Sequence, residues 1–134
     1  MLTTIHWNIL HSLMNRIIPQ DDSPAAWEAG VGDYLARQFE GDLKSQVEIY
    51  QLGLEALEAE SQANTGKGFT ELDDSQQDDI LSRIESGQVA SSWRVNPTEF
   101  FQMVITHVME GYYSDPGNGG NRNSIAWKMI GFTG

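Results

Sequence analysis

The stretch Asn96-Pro97-Thr98-Glu99-Phe100-Phe101-Gln102-Met103-Val104-Ile105-Thr106-His107-Val108-Met109-Glu110-Gly111-Tyr112 decides the fold. Asn96, Pro97 and Glu99 stand at the cap, first and third positions of a helix start, in register for a capping box. Phe100, Val104, Val108 and Tyr112 then recur every fourth residue, and Phe101, Ile105 and Met109 widen that line until most of each turn is apolar. A helix so covered needs neighbours on several sides, which predicts the central helix of an all-α bundle.

Four further helices are predicted upstream. From Thr4 to Ile18, Ile5, Ile9, Leu13 and Ile17 step by four, with Leu10, Met14 and Ile18 beside them, until Pro19 ends the run. Ser23-Pro24 reads as a cap followed by an N1 proline, opening a second helix with Trp27, Val31, Leu35 and Tyr34 inward and Gly41 as its stop. Gly30 and Gly32 inside it cost about 1 kcal/mol each relative to alanine, which suits close approach to a neighbour. A long surface helix is expected from Asp42 to Ala63, where Leu43, Val47, Tyr50, Leu54 and Leu57 face one way and Glu48, Gln51, Glu55 and Glu58 the other. After the turn at Asn64–Gly68, Glu71, Asp73, Asp74, Asp78 and Asp79 crowd the entry of a fourth helix carrying Ile80, Leu81 and Ile84 and closed by Gly87. Carboxylates there complement the helix dipole and read as a solvated helix start; a divalent-ion loop is the alternative. No strand pattern, repeat or second domain interrupts the chain, so residues 1–134 are expected to form one helical domain.

Composition narrows the function. The 134 residues are 40% hydrophobic, enough for one packed core. Nineteen acidic against eight basic residues leave a net charge of −11, which repels phosphate backbones and anionic lipid headgroups. Nucleic acid and membrane are therefore poor partners, and nowhere do eighteen apolar residues run together. The absence of cysteine removes disulfides, thiolate nucleophiles, iron–sulfur clusters and thiolate zinc sites. Met1-Leu2-Thr3-Thr4 lacks a basic region or an apolar signal core, so the sequence as it stands reads as cytoplasmic, or as periplasmic if an exported partner carries it.

Beyond the central helix, Ser114-Asp115-Pro116-Gly117-Asn118-Gly119-Gly120-Asn121-Arg122-Asn123 avoids helix and strand and predicts a shaped loop. One or two helical turns follow at Ser124–Ile130, with Trp127 as the anchor. His107 through Pro116, then Gly119-Gly120-Asn121, Trp127 and Ile130-Gly131-Phe132, resembles the C-terminal signature of the gluconate 2-dehydrogenase subunit 3 family. In that signature a helix ends in Glu-Gly plus aromatics, here Glu110, Gly111, Tyr112 and Tyr113, and a DP-x-x-GGN loop leads to a short Trp-containing helix. Ile18 through Val31 is similar to the family's opening, with Ala25 where glycine is common.

The resemblance covers nearly the whole chain. It implies a small, non-catalytic subunit accompanying a large FAD-dependent dehydrogenase of the glucose–methanol–choline type, often with a multihaem cytochrome c as electron acceptor. Oxidised substrates in such complexes are sugars, sugar acids and polyols, and FAD is expected in the partner. Many family members carry a twin-arginine export signal, from which this chain departs by opening directly at its first helix.

The residues allow an alternative, a free-standing domain that binds a small polar ligand or metal. His107 and Glu110 share a helix face one turn apart, with Asp115 nearby. Their plain structural roles are a bonded histidine and a carboxylate that accepts from the backbone of the following loop. A di-metal bundle needs repeated Glu-x-x-His, which is lacking, and His6 and His11 fall on different parts of their helix. Gly117–Asn121 lacks the strand and the Gly-Lys-Ser/Thr ending of a phosphate loop. With no Cys-x-x-Cys-His and no dinucleotide fingerprint, redox chemistry is assigned to another chain. Asp115, Asn118, Asn121 and Arg122 are the polar contacts of the alternative. Trp7, Trp27, Trp93, Tyr112, Tyr113 and Phe132 are the aromatic interface candidates. Trp93, in the Ser91-Ser92-Trp93-Arg94 loop, is the one expected at a surface.

Overall fold

The computed structural model describes residues 1–114. The helices run α1 Thr4–Ile17, α2 Val31–Gln38, α3 Val47–Thr65, α4 Asp74–Glu85 and α5 Pro97–Tyr112, with short 3₁₀ turns at Lys44–Gln46 and Phe69–Glu71. Among the described residues there is no strand, and the fold is an all-α bundle. The loop from Asp115 and the short helix expected after it lie outside the described residues.

Asn96 and Pro97 start α5 as the sequence implies, but the Glu99 side chain makes no return bond to close the expected capping box. The Asn96 side chain accepts from the Glu99 N–H at 3.0 Å, and Pro97 occupies the first turn. α5 packs against each of the other four helices, with Phe100, Phe101, Val104, Val108, Gly111 and Tyr112 buried. Complete burial of a valine side chain is worth about 1.5–3 kcal/mol, so Val104 and Val108, both fully buried, anchor this crossing point.

α1 differs from the expected stripe at its first turn. Ile5 is 69% exposed, and His6 takes the inward position. The His6 Nδ1 accepts the Thr3 N–H at 3.0 Å while Thr3 caps the His6 N–H, so a histidine closes the capping box. Its Nε2 then donates to Glu55 on α3 at 2.8 Å, an arrangement open only to the Nε2–H tautomer.

α2 starts later than the Ser23-Pro24 signal predicts. Ala25 and the turns over residues 26–30 precede the helix, burying Ala25, Ala26 and Ala29, and the helix begins at Val31. Gly30, at φ 100°, holds a left-handed conformation that stops a helix from running through. Asn15 of α1 meanwhile accepts the Trp27 N–H at 2.9 Å, anchoring the turn to its neighbour. The close approach expected of Gly32 is met by the Trp27 ring, 2.6 Å from where a Cβ would lie.

α3 begins at Val47 rather than Asp42, after a 3₁₀ turn. Its buried arc is also broader than a surface helix requires, since Gly53, Ala56, Glu60 and Ser61 join Tyr50, Leu54 and Leu57. The carboxylates around α4 are individually engaged. Asp73 caps Gln76, and Glu71 accepts from Gly68. Asp74 and Asp78 clasp Arg16 of α1, and Asp79 pairs with Arg83. The Asp78 hydrogen bond outweighs desolvation and holds the Arg16 guanidinium above its usual pKa, while the same bond depresses the Asp78 carboxyl.

Candidate functional site

His107, Glu110 and Gly111 lie together where α5 ends. Its last two turns lie against α2 and α3. His107 is half-buried and points inward. Its Nδ1 lies 2.8 Å from the Tyr50 hydroxyl, and the two rings stack at 5.8 Å with 17° between their planes. Burial raises the Tyr50 pKa, with the nearby Glu110 carboxylate adding to it, so the hydroxyl stays protonated and donates. Burial likewise lowers the His107 pKa, and Glu110 opposes that only in part. The resting pair is thus Tyr O–H to neutral imidazole.

Glu110 is exposed, and its charge reaches Tyr50, Tyr34 and His107. Gly111 is buried because the Tyr34 ring crosses it: a Cβ there would lie 2.7 Å from a ring carbon. Tyr112 donates to the Pro24 carbonyl at 2.8 Å, and Ser114 folds back to the Gly111 carbonyl at 2.9 Å. The Glu-Gly-aromatic element is therefore a packing device. Glycine admits Tyr34, and Tyr112 ties α5 to the turn before α2. Asp115, Pro116, Gly119, Gly120, Asn121 and Trp127 lie outside the described residues, as do Asn118, Arg122 and Phe132.

Trp93, the candidate expected at a surface, is turned partly inward. It is half-buried, its ring 6.3 Å from Phe100, and its Nε1–H donates to Glu60 at 3.1 Å. Glu60 is fully buried and collects four further donors, from Asn64, Ala90 and both the N–H and hydroxyl of Ser91. A buried carboxylate needs such donors, and the Trp93 loop supplies them. Sequence reasoning missed Glu60, although its position three residues after Leu57 continues the inward line of α3.

Trp7 and Trp27 are also engaged internally. Trp7 meets Trp27 at 6.3 Å and Phe39 at 6.0 Å, and His11 stacks on Trp27 at 4.3 Å. Among the described residues no three His, Cys, Asp or Glu side chains are grouped to hold a metal ion. No described helix is long and apolar enough to cross a membrane.

The His107–Tyr50 pair has a measurable consequence. Because the folded state depresses the His107 pKa, unfolding takes up a proton once the pH falls below the unfolded value of about 6.5. The stabilising contribution is complete above that value and is lost as the pH falls toward the folded one. His107→Gln keeps an acceptor for Tyr50 and removes the titration. Melting temperatures between pH 7.5 and 5 are expected to fall less in this variant than in the wild type; equal slopes would remove the pair from the acid response.

No curated protein and no solved structure matches the chain. The family model described as gluconate 2-dehydrogenase subunit 3 matches residues 5–134, spanning both the buried alanine turn and the Glu-Gly-aromatic end of α5. The chain belongs to the gluconate 2-dehydrogenase subunit 3 family.

Proposed function

We propose that this chain is the non-catalytic small subunit of an FAD-dependent dehydrogenase acting on sugars, sugar acids or polyols, and that it stabilises or escorts the flavoprotein. The family match over residues 5–134 carries this reading. The inward commitment of His107 supports it, because an imidazole that accepts from a buried tyrosine is placed for packing rather than for substrate. FAD and the oxidation chemistry belong to the flavoprotein subunit, and a cytochrome c is the electron acceptor.

The test is co-expression of the flavoprotein subunit of the same complex with and without this chain. The two are expected to co-purify, with a several-fold higher yield of flavin-loaded, active dehydrogenase when the chain is present. Separate elution combined with unchanged flavoprotein activity would sink the proposal.

A further inference from the structure

Tyr50 and Tyr112 are both fully buried, and their hydroxyls meet different partners. Tyr112 donates to the Pro24 carbonyl, which cannot keep a proton. Tyr50 donates at 2.8 Å to Nδ1 of His107, an imidazole nitrogen that can. The difference matters when the phenol is oxidised. A phenol that loses one electron turns into a strong acid, and it reaches the neutral phenoxyl radical readily where a base already sits on its hydroxyl.

His107 meets that need. Burial lowers its pKa, so it rests neutral with Nδ1 as the acceptor. Glu110, three residues further along α5, acts on the imidazole in the opposite sense and offsets the positive charge that a transferred proton would bring. Tyr50 itself has no solvent contact, which shields a radical there from the encounters that quench one at a surface.

Rings lead from that phenol toward the surface on two sides. Phe39 lies 4.8 Å from Tyr50 and 6.0 Å from Trp7, which meets Trp27 at 6.3 Å. On the other side Phe100 lies 6.0 Å from Tyr50 and 6.3 Å from Trp93. These three tryptophans are half-buried, so an oxidant in solution meets them before it meets Tyr50.

We propose that Tyr50 is a protected one-electron redox site: an outer-sphere one-electron oxidant, such as an oxygen-derived radical, draws an electron from it through these rings while its proton passes to His107. The oxidant gains one electron, the O–H bond of Tyr50 breaks, and an N–H bond forms at His107 Nδ1. The products are a neutral phenoxyl radical and an imidazolium. A one-electron donor of the ascorbate class reverses the step, returning the electron to the ring and the proton to its oxygen. Substrate oxidation stays with the flavoprotein, and the inference stands apart from the accessory-subunit reading because it needs only this chain.

The test uses the purified full chain and photogenerated tris(bipyridine)ruthenium(III) as the oxidant. The wild type is expected to form a phenoxyl radical that outlives, several-fold, any formed in Tyr50→Phe. His107→Gln keeps an acceptor on the hydroxyl but supplies only a weak base, so the radical should form about tenfold more slowly or worse. Circular dichroism establishes that each variant is folded. A variant-free readout accompanies them: electron paramagnetic resonance of the wild type with isotope-labelled histidine should show a histidine nitrogen coupled to the phenoxyl radical. A wild type without a long-lived phenoxyl, or one without that coupling, overturns the proposal. So does a folded Tyr50→Phe with the same radical, or a folded His107→Gln with the same rate.

Discussion

Glu60→Gln is expected to lower the melting temperature by on the order of 10 °C. In the wild type one carboxylate oxygen accepts from the Ser91 N–H at 3.1 Å, the Ser91 hydroxyl at 2.6 Å and the Trp93 Nε1–H at 3.1 Å. The other accepts from the Ala90 N–H at 2.7 Å and Asn64 Nδ2 at 2.8 Å. A glutamine must turn its own NH₂ toward one of these groups, setting donor against donor wherever it points. Each buried donor left unpaired costs about 1–3 kcal/mol, so two of them amount to roughly 3 kcal/mol. At about 3–5 °C per kcal/mol for a chain between the small and mid-size classes, this gives the expected fall. Trp93 fluorescence should shift to the red at the same time, because the bond that holds its indole is lost. An unchanged melting temperature would show that the 90–93 loop is held by something other than this carboxylate.

The pH dependence gives a second, independent reading of the same group. Burial alone would raise the Glu60 pKa, but the bonds from Ser91, Ala90 and Trp93 overcome it and depress the carboxyl from 4.5 to about 2. A depressed folded-state value means that the native protein binds fewer protons than the unfolded chain in that interval. The stabilisation is complete above about pH 4.5 and disappears as the pH falls toward about 2. The gap between wild type and Glu60→Gln should therefore be full at pH 7 and narrow in acid. A gap constant down to pH 3 would contradict the ionised hub.

Why the hub was not legible in the sequence is instructive. Local signals in this chain are strong and mostly sufficient: Asn96-Pro97, the four-residue steps of α5, and Asp73 ahead of α4 each act within one helical turn. Errors arise where a distant side chain competes with the local one. Ser23-Pro24 is a good helix start, yet Asn15 intercepts the Trp27 N–H and Gly30 turns left-handed, so the helix forms seven residues later. Ile5 fits the apolar spacing, but His6 outbids it for the inward position because Glu55 waits on α3. Trp93 lacks apolar company in sequence and finds its partner thirty-three residues away. His107 was visible as a candidate; its partner Tyr50 was visible only as a core residue, and nothing in a linear reading joins positions 57 apart. Glu60 alone left a trace, a charge on an apolar stripe, which is the pattern expected when a buried carboxylate organises a loop.

Gly53→Ala is expected to destabilise the protein by about 1–3 kcal/mol, the typical cost of overpacking a core. The sign is the informative part. In an exposed helix interior alanine is preferred to glycine by about 1 kcal/mol, so propensity alone favours the variant. At Gly53, however, the added Cβ would lie against the edge of the Phe100 ring, closer than real Cβ contacts occur, and Phe100 is itself buried in the bundle. α3 and α5 must then part, or the ring must leave its place between Tyr50 and Trp93, 6.0 and 6.3 Å from their rings. Either movement reaches the end of α5, because Tyr50, one turn before Gly53, carries the bond to His107. A urea-unfolding cycle isolates the cause. In a Phe100→Leu background the smaller side chain frees the space, and Gly53→Ala should become neutral or stabilising, with a coupling energy of about 1–3 kcal/mol between the two sites. If Gly53→Ala costs the same in both backgrounds, the α3–α5 crossing is not set by this contact; if it stabilises the wild type, helix propensity outweighs packing there.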